Sequence, residues 1–574
     1  MRPVRPNSIF TVGRSTALYA AAFSRAALST AALSTAAALF SPIAHAELAQ
    51  GTVFVDTNDN GTRDAGEPGV PNVRVSDGAS ISVTDKQGDY ELDIEAPAIV
   101  FVVKPKGYRT ALSPENLPRF YYIHQPEGSP AGLRYLGIEP TGELPERIDF
   151  PLLPQDEPES FEALLFADTQ PQTEVELDYI RDDVVSELIG TEARFGMTMG
   201  DIAFDDLSML PRINRIIGQI GIPWYNVPGN HELNLKAPND QYSLETFKRY
   251  FGPPYYSFEY GEALFVVLDN IEYKGNGASD PGDVRSSGGY IANFGKAQLR
   301  WLKRELDLVP EEKLVFIAMH SPLETYVSDG PGVTTQDRRG LFKLLQGREN
   351  LYSVAGHTHT TEHLYFDADD GFKGPGEFHH HVLSAISGSW WSGPFDERGI
   401  PTTWQRDGTP NGYHVLEVDG TSATVRFKAA SQSADYQMRI LFDVAHFGIQ
   451  ANGQRDFRHG ELFDGRMTIE QVPAAGILVN LFDGGPKSSV RFRIDDGPAA
   501  PMQRVDRSDP FIIELFARNT DSKKSWVEAQ PSSHLYEADL PDDLAVGAHT
   551  VSVEAVDEFG RSHHGHAVLE ITGN

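Results

Sequence analysis

Five short polar turns, each placed directly after a β-rich run, constrain this sequence more than any other feature. Gly229-Asn230-His231-Glu232 follows the apolar run 224–228 and places an amide, an imidazole and a carboxylate side by side. Such side chains are poorly suited to a hydrophobic core but suit a cation and a transferring oxyanion. Because α/β folds bind ligands at the carboxyl ends of their strands, the turns predict one site at such an edge of a sheet. The other four turns are Asp168-Thr169-Gln170, Gly200-Asp201, His320 and Gly356-His357-Thr358-His359.

The runs around these turns alternate between strand and helix patterns. Strand-like runs at 161–167, 195–199 and 224–227 enclose helical patterns at 177–189 and 207–220. This βαβαβ order predicts a largely parallel sheet. The same criteria predict a helix at 296–308 and further strands at 256–260, 263–269, 314–319, 352–355 and 381–386.

Length and composition set the broad class of the protein. A chain of 574 residues is too long for one hydrophobic core and predicts several domains. The formal net charge of -32 argues against general binding to nucleic acids or anionic membranes, which needs a basic surface. The chain has no cysteine, which excludes disulfides, thiolate metal sites and cysteine nucleophiles.

Residues 1–46 have the pattern of a secretory signal peptide. Three arginines form a basic start, an Ala/Leu-rich run follows, and Ala44-His45-Ala46 provides a small-x-small cleavage site. The alternative is an uncleaved membrane anchor, but Arg25 and several Ser and Thr residues interrupt the apolar run that a spanning helix requires. The prediction is therefore a periplasmic or secreted protein without stable membrane insertion after cleavage.

Residues 47–153 are predicted to form a β-sandwich domain. Short apolar runs at 51–55, 70–75 and 99–103 alternate with Gly, Asp and Pro turns. The segment 56–67 places oxygen donors at positions 1, 3, 5, 9 and 12 of a calcium-type loop, and Gly at position 6. The alternative is a plain turn rich in Asn and Asp. The predicted ligands of a structural Ca²⁺ are Asp56, Asn58, Asn60, Thr62, Asp64 and Glu67.

The remaining segments are a linker, two insertions and a β-rich tail. After a Pro-rich acidic linker at 151–158, the insertions 271–295 and 323–337 leave strands of the predicted sheet. We expect substrate-binding loops there, because long loops on a rigid scaffold commonly bear function. The tail, 391–574, predicts one or two sandwich-like units, with strands at 415–425, 476–481, 490–494, 511–515 and 549–556.

Two histidine runs and one tryptophan pair have ambiguous patterns. His379-His380-His381 and His563-His564 invite metal interpretations, but neighbours along a strand point to opposite faces. We therefore expect structural or exposed histidines. Trp390 and Trp391 suit either stacking on a base or sugar or packing at a domain interface, and the sequence leaves both open.

Taken in order, the five turns resemble the calcineurin-like metallophosphoesterase family over residues 160–390. The segment 47–153 is similar to the prealbumin-like B-type repeats of bacterial surface adhesins, and to the β-domain ahead of some secreted phosphoesterases. The resemblance implies an α/β fold in which a core of β-sheets flanked by helices lies between N-terminal and C-terminal all-β domains. It also implies an enzyme, a metal-dependent hydrolase of phosphoric esters with small phosphorylated substrates.

The resemblance further implies a dinuclear metal centre. Two ions ~3.5–4 Å apart need a bridging carboxylate, for which Asp201 is the natural choice. A metal-bridging hydroxide would be the nucleophile, and His231 would act as general acid at the leaving-group oxygen. The remaining ligands would be Asp168, Gln170 and His359 for one metal, and Asn230, His320 and His357 for the other.

Two departures from the family pattern bear on the identity of the metals. The first motif usually reads Asp-x-His, and here it ends in Gln170, whose amide oxygen favours Mn²⁺ or Mg²⁺, with Zn²⁺ and iron as alternatives. Purple acid phosphatases place Tyr three residues after the bridging Asp, where this chain has Phe204. A tyrosinate-bound Fe³⁺ is therefore not expected.

The substrate and the assembly stay open at this level. Phosphomonoester, phosphodiester and nucleotide-type pyrophosphate bonds are all admissible, and no pattern encodes the oligomeric state. The alternative from a different class is a non-catalytic extracellular binding or surface protein that retains the fold, against which the complete ligand set argues. An exonuclease fits poorly with the acidic charge.

Overall fold

The computed structural model describes residues 46–275, 289–443 and 465–573. The predicted signal peptide, 1–46, lies outside these ranges apart from its last residue, and so does 276–288 of the first predicted insertion. Among the described residues, no helix has both the length and the apolar composition that a membrane crossing requires.

Two sheets form the N-terminal part. Its strands are β1 Glu47–Val55, β2 Arg74–Ser76, β3 Ile81–Val83, β4 Asp89–Ile94, β5 Ala98–Val102, β6 Tyr108–Leu112, β7 Pro118–Arg119, β8 Tyr121–His124 and β9 Phe150–Pro154. The sheet orders are β4-β1-β9-β6-β7 and β3-β2-β5-β8. Strand β4 alternates exposed and buried residues along its whole length, the pattern of a strand with one face on a core.

The central part contains the predicted strand and helix alternation. Its strands are β10 Ser160–Phe166, β11 Gly196–Thr198, β12 Trp224–Asn226, β13 Tyr256–Tyr260, β14 Ala263–Val267, β15 Ile271–Tyr273, β16 Tyr290–Ala292, β17 Leu314–Ala318, β18 Leu351–Ala355, β19 Glu362–Phe366, β20 Phe378–Val382, β21 Gly412–Asp419 and β22 Ser422–Ala429. Strands β10, β11 and β12 pair in parallel, as do β14, β17, β18 and β20. The parallel pairing agrees with the prediction.

The central strands form two large sheets, whereas the turn pattern suggests one sheet edge. The orders are β12-β11-β10-β21-β22 and β13-β14-β17-β18-β20-β19. Their inner faces pack together: Phe195, directly before β11, lies 5.0 Å from Phe265 of β14, measured between ring centroids. Aromatic pairs at this spacing contribute about 0.5–1.5 kcal/mol beyond their burial. The expectation of a single sheet is therefore corrected to a sandwich, with the carboxyl ends of both sheets at one edge.

Helices cover the outer faces of the sandwich. Thr173 caps α1 by accepting a hydrogen bond from the N–H of Glu176, and the buried side chains Leu177 and Ile180 face Phe166 of the first sheet. The predicted helix 177–189 consists of α1, a π-helical turn Ile180–Val185 and α2. The helices are α1 Glu174–Tyr179, α2 Ser186–Leu188, α3 Leu210–Ile217, α4 Glu245–Phe251, α5 Gly295–Leu306, α6 Arg338–Leu345 and α7 Pro510–Arg518. Short 3₁₀ turns lie at Leu207–Met209, Gly218–Ile220, Asn230–Glu232, Asp240–Tyr242 and Val472–Ala474.

Two strand predictions need correction in the central part. The run 415–425 is a hairpin of two strands, β21 and β22, because Gly420 adopts a left-handed φ of 59° at the turn. Strand β21 pairs antiparallel with β10, so the first central sheet extends beyond the predicted domain limit at residue 390. Strand β20 ends at Val382, whereas the sequence predicts a strand at 381–386.

Over its described residues, the C-terminal part is a two-sheet sandwich that includes helix α7. Its strands are β23 Met438–Asp443, β24 Arg466–Thr468, β25 Gly476–Leu481, β26 Ser489–Ile494, β27 Ala500–Pro501, β28 Gln503–Ser508, β29 Pro531–Asp539, β30 Gly547–Val556 and β31 Ser562–Thr572. The sheet orders are β23-β25-β29-β28 and β24-β31-β30-β26-β27. The predicted strand at 511–515 is wrong: Asp509 accepts the N–H of Phe511 at 2.8 Å and Pro510 opens helix α7.

The predicted calcium loop lies between β1 and the bridge at Gly69, with no helix beside it. The carboxylate of Asp56 accepts the N–H groups of Asn60 and Gly61, at 3.2 and 2.8 Å. Oδ2 of Asp64 receives the side-chain amides of Asn58 and Asn60, both at 2.9 Å. Glu67 accepts the backbone N–H groups of two loop residues, 57 and 64. Apart from Thr62, which offers its N–H to Asn60, the predicted ligands thus point their polar side chains into the loop.

Millimolar Ca²⁺ should raise the unfolding temperature of the full-length protein, because a ligand at 100 times its Kd adds about 2.7 kcal/mol to the folded state. Asp56→Asn should remove most of that rise. The matched control is Asp85→Asn, since Asp85 also caps a turn of the same domain but is not a predicted ligand. An identical Ca²⁺-dependent rise in wild type and Asp56→Asn would leave only a turn rich in Asn and Asp.

Candidate metal centre

The five predicted turns meet where the carboxyl ends of strands from the two central sheets face each other. Each turn begins within four residues of its strand, so the backbone leaves little freedom in where the side chains lie. The seven predicted ligands are Asp168 and Gln170 after β10, Asp201 after β11, Asn230 after β12, His320 after β17, and His357 and His359 after β18.

The imidazole of His320 is the centre of one half of the site. Its Nε2 lies 3.2 Å from Oδ2 of Asp201 and 3.1 Å from Oδ1 of Asn230. The same Nε2 lies 3.0 Å from Nδ1 of His357. The ligand atoms of Asp201, His320 and His357 all lie within 4.8 Å of one another. One N/O set with this spacing suits a divalent cation.

The other half of the site contains two buried polar atoms without a hydrogen-bond partner. They are Oε1 of Gln170 and Nε2 of His359. Nε2 of His359 lies 3.7 Å from Oδ1 of Asp168, and the amide of Gln170 donates to Oδ2 of Asp201 at 2.7 Å. Leaving a buried polar atom unpaired costs about 1–3 kcal/mol. A cation between these groups would satisfy both atoms, so the residues present fit a second ion.

Backbone carbonyls orient the three imidazoles. Nδ1 of His320 donates to the carbonyl of Met199 at 2.7 Å, and Nδ1 of His359 donates to the carbonyl of Gly388. His357 is held the other way round, with Nε2 donating to the carbonyl of Gly332 at 3.0 Å. Because one nitrogen of each ring carries the proton toward a carbonyl, the second nitrogen is a lone-pair donor facing the site.

Left-handed backbone conformations are concentrated in the predicted ligands. Non-glycine residues with positive φ are uncommon and mark local strain that the surrounding structure must hold. The ligands with positive φ are Asp168 at 48°, Gln170 at 36°, Asp201 at 50°, His357 at 78° and His359 at 54°.

Two glycines allow turns of the site to approach closely, Gly200 between the two sheets and Gly229 within the first sheet. A Cβ at Gly200 would lie 2.6 Å from Nδ1 of His320, and a Cβ at Gly229 would lie 2.3 Å from Oδ1 of Asp201. Both distances are too short for any side chain, so glycine is required by close approach. The pairs Gly-Asp and Gly-Asn in the sequence therefore have a packing reason.

Burial shapes the charge states of the ligands. Burial and nearby Asp201 raise the pKa of Asp168, His320 opposes them, and the net pKa is about 7. Burial lowers the pKa of His357 and His359 to about 3, so both imidazoles are neutral and competent as ligands. Burial alone would lower the pKa of His320, but Asp201 and Asp168 raise it to about 9. Two buried carboxylates beside two neutral imidazoles form an environment that positive ions stabilise.

His231 lies beside this ligand set and contacts it through its backbone. Its N–H donates to Oδ1 of Asp201 at 3.0 Å, while its Nε2 lies 3.9 Å from Oδ2 of that residue. Its Nδ1 lies 2.7 Å from Oδ1 of Asp205, and its ring stacks on Phe204 at 4.3 Å between centroids. Burial alone would lower the pKa of His231, but Asp201 and Asp205 raise it to about 9.

Sequence reasoning missed the roles of Asp205 and Glu232. Asp205 orients His231, and the buried carboxylate of Glu232 accepts the N–H groups of Gly229 and Ala203 at 2.8 and 3.1 Å. Glu232 therefore ties the turns after β11 and β12 together and does not point at a cation. Its place in the same turn as Asn230 gave a signal for the site, whereas no local spacing rule identifies Asp205.

Residues distant in sequence form the rim of the site. Tyr290 of β16 lies 6.3 Å from His357, measured between ring centroids, so part of the first predicted insertion reaches the centre. From the C-terminal part, Trp526 stacks on Phe204 at 6.1 Å. Neighbouring Lys524 pairs with Glu176, 348 residues away along the chain, at 2.7 Å. No local sequence pattern predicts contacts between residues so far apart in the chain.

The two tryptophans pack against the site in different ways. Trp390 stacks on the ring of His359 at 3.8 Å between centroids. Trp391 is buried and donates its indole N–H to the carbonyl of Thr169 at 3.1 Å. Both have φ values of 55°. Packing onto the turns is thus the observed role of both rings.

Gly200→Ala should weaken divalent-metal binding, because the new Cβ would push the imidazole of His320 away from the carbonyl of Met199. Losing a hydrogen bond that orients a metal-binding histidine typically lowers metal affinity roughly 10–100-fold. Gly190→Ala is the matched control: its φ of 85° is close to the 81° of Gly200, but a Cβ there meets no atom within 4 Å. Metal affinity measured by titration of the metal-free protein distinguishes the two. Equal affinities in both variants would exclude close packing as the reason for Gly200.

Three family models match the chain in the order that the fold shows. The model described as the N terminal of calcineurin-like phosphoesterase matches residues 57–135. The model of the calcineurin-like phosphoesterase itself matches residues 193–361, and that of its C terminal matches residues 380–563. The middle match contains five of the seven predicted ligands, all but Asp168 and Gln170.

No curated protein matches the chain, and the solved structures that match it include two distant ones. A dimetal phosphatase from Danio rerio is 15% identical, with 46% of this chain and 98% of that chain covered at a TM-score of 0.31. The purple acid phosphatase PPD1 from yellow lupin (Lupinus luteus) seeds is 13% identical, with 67% and 71% covered at a TM-score of 0.34. Scores this low add no argument. On the three family matches, the chain belongs to the calcineurin-like phosphoesterase family, with that family's N-terminal and C-terminal domains on either side of its catalytic core.

Proposed function

We propose that this protein is an exported hydrolase that cleaves phosphoric esters of small molecules with two divalent metal ions. The observation that carries the proposal is the convergence of two buried aspartates, three oriented imidazoles and two partnerless ligand atoms at one edge of the sandwich. Export rests on the signal-like pattern of residues 1–46. The acidic net charge of -32 favours small substrates over nucleic acid.

The residues divide into two ligand sets that share Asp201. Asp168, Gln170 and His359 would hold one ion, and the other would be held by three residues at 230, 320 and 357. When bound, the two ions supply the activation of water and the positive charge that stabilises the phosphoryl oxygens. The amide oxygen of Gln170 favours Mn²⁺ or Mg²⁺, with Zn²⁺ or iron as weaker candidates. The hydrocarbon ring of Phe204 cannot supply a tyrosinate ligand.

His231 has the position of a proton donor to the leaving group. The carboxylate of Asp205 accepts a hydrogen bond from Nδ1–H of His231. Because Asp201 and Asp205 raise the pKa of His231 to about 9, the ring is an imidazolium at neutral pH and also carries a proton on Nε2, the nitrogen that faces the site. Stacking on Phe204 fixes the ring plane. A proton placed at the departing oxygen lowers the barrier most for poor leaving groups.

The rim of the site supports a small substrate. Tyr290, the carbonyl side of Gly332 and Trp526 come from three separate segments and surround the metal ligands. Aromatic rings at such a rim suit the apolar face of an alcohol or nucleoside group. A panel of monoesters, diesters and pyrophosphates tested with Mn²⁺ decides which bond is the physiological one.

Asp201→Asn should reduce metal-dependent hydrolysis of nitrophenyl phosphoesters to the background rate, because an amide bridges two cations poorly. Turnover and bound metal are measured in the same preparation with added Mn²⁺. Asp182→Asn, which changes an exposed carboxylate paired with Arg181, is the control and should keep full activity. Near-wild-type turnover of Asp201→Asn with unchanged metal content would refute the dinuclear assignment.

His231→Ala should cost little on nitrophenyl esters and about 10²–10⁴-fold more on alkyl esters, because a nitrophenolate departs without a proton and an alkoxide does not. Asp205→Asn should show the same selectivity with a smaller loss, since it only misorients the ring. Metal content should stay unchanged in both variants. Equal losses on both ester classes, together with a fall in bound metal, would identify His231 as a ligand and not as the acid.

A further inference from the structure

A second cluster of metal-type side chains lies away from the catalytic turns. His363, His381 and His414 all direct Nε2 toward one carboxylate oxygen, Oδ1 of Asp483. The three N–O distances are 3.3, 2.7 and 3.4 Å. All three histidine side chains are fully buried, and that of Asp483 is 7% exposed.

The cluster joins three separate sheets. His363 of β19 and His381 of β20 are direct partners across an antiparallel pair, so their side chains share a face. His414 belongs to β21 of the first central sheet. Asp483 follows β25 of the C-terminal sandwich and adopts a left-handed φ of 67°. Side chains from three sheets thus meet at Asp483, which differs from a histidine run along one strand.

Three of these side chains have the spacing of metal ligands. Ligand atoms of His363, His381 and Asp483 all lie within 4.8 Å of one another, and His414 is not a member of that group. Metal–nitrogen and metal–oxygen bonds of about 2.0–2.1 Å place tetrahedral ligand atoms roughly 3.3 Å apart. The separation of Asp483 from His363 is 3.3 Å, and that from His381, 2.7 Å, is the distance of an ordinary hydrogen bond.

The Nδ1 atoms of His363 and His381 each have a hydrogen-bond partner, as the distal nitrogen of a metal-bound imidazole usually has. The hydroxyl of Tyr352 lies 3.0 Å from Nδ1 of His381, and Nε2 of His379 lies 2.9 Å from Nδ1 of His363. Partners at the far nitrogen fix the tautomer and direct the near nitrogen inward. Burial opposes ionisation of Asp483, but the imidazoles of His381 and His414 hold the pKa of its carboxyl well below the usual value.

The same side chains also make hydrogen-bond contacts. Nε2 of His363 lies 3.2 Å from the backbone carbonyl oxygen of Asp483 and 3.3 Å from its Oδ1. That Oδ1 also lies 2.7 Å from Nε2 of His381 and 3.4 Å from Nε2 of His414. A cation would instead take one lone pair from each of His363, His381 and Asp483, so the metal content distinguishes the two arrangements.

We propose that His363, His381 and Asp483 bind one divalent transition-metal ion that fastens the C-terminal sandwich to the central sheets. The donor set of two nitrogens and one oxygen, with no thiolate, favours Zn²⁺. His363 and His381 belong to the second central sheet and Asp483 follows β25 of the C-terminal sandwich, so the role of the ion is to join the two. Asp483 lines a surface cleft with Asp557 and Arg561, and this gives the ion a path inward.

Metal content of the full-length protein tests this site independently of the proposed function. After chelation and reconstitution with Zn²⁺ and Mn²⁺, wild type should carry about three ions per chain and His381→Gln about two, counted by elemental analysis. The control is His380→Gln: His380 is the next residue of β20, points to the other face and accepts the N–H of Leu323 at 3.1 Å. It should keep all three ions. Asp201→Asn should still take up the Zn²⁺ of this cluster.

Two outcomes would overturn the proposal. One is an equal Zn²⁺ content in wild type and His381→Gln. The other is a Zn²⁺-dependent rise in unfolding temperature that is the same in wild type and Asp483→Asn, since a ligand stabilises only the protein that binds it. Asp483→Asn keeps the size and a hydrogen-bonding oxygen, so it covers the case in which His381→Gln does not fold. Phosphoester hydrolysis with Mn²⁺ should persist in both variants at low temperature.

Discussion

Burying Asp168 and Asp201 next to each other is the constraint on which the rest of the core depends. Removing a carboxylate from water costs several kcal/mol per ion unless partners replace the lost solvation. The backbone N–H of His357 donates to both oxygens of Asp168, and that of His231 donates to Asp201. His357 adopts a left-handed φ of 78°, whereas His231 lies in the 3₁₀ turn Asn230–Glu232. The conformation of the turns and the buried charge therefore depend on each other, because the turns direct these N–H groups at the carboxylates.

The same constraint explains why two sheets meet at this edge. One sheet supplies Asp168 and Asp201, which are acidic, and the other supplies His320 and His357, which are neutral or cationic. Neither set is satisfied alone. Packing of Phe195 against Phe265 fixes the distance between the sheets, and the absence of a side chain at Gly200 allows the final approach. The apolar core thus sets the geometry in which His320 of one sheet comes within 3.1–3.2 Å of Asn230 and Asp201 of the other.

The sequence predicted the family and the class of fold, and the family models confirm both. A polar turn after a strand is a local pattern, so seven residues that the structure brings together could be named without knowing which strands pair, and their role as metal ligands stays a prediction. Pairing is not local, so the turn pattern alone did not show that the strands divide between two sheets. The strand predicted at 511–515 failed because the cap signals Asp509 and Pro510 were passed over in favour of apolar residues. The rule that His379 to His381 alternate between faces was correct, but it could not show that His381 meets Asp483, 102 residues later.

The C-terminal sandwich holds the strand that connects the two metal-type clusters. His359 lies in the candidate metal centre and His363 in the second cluster. The segment between them is held by a hydrogen bond to a residue outside it. The N–H of Thr361 donates to Asp407 at 2.6 Å, and Asp407 is paired with His534 of β29 at 3.1 Å. A shift of the sandwich would therefore move both ends of this segment together. The position of the sandwich and the position of His359 are therefore coupled through this segment, although the sandwich supplies none of the predicted metal ligands of the first site.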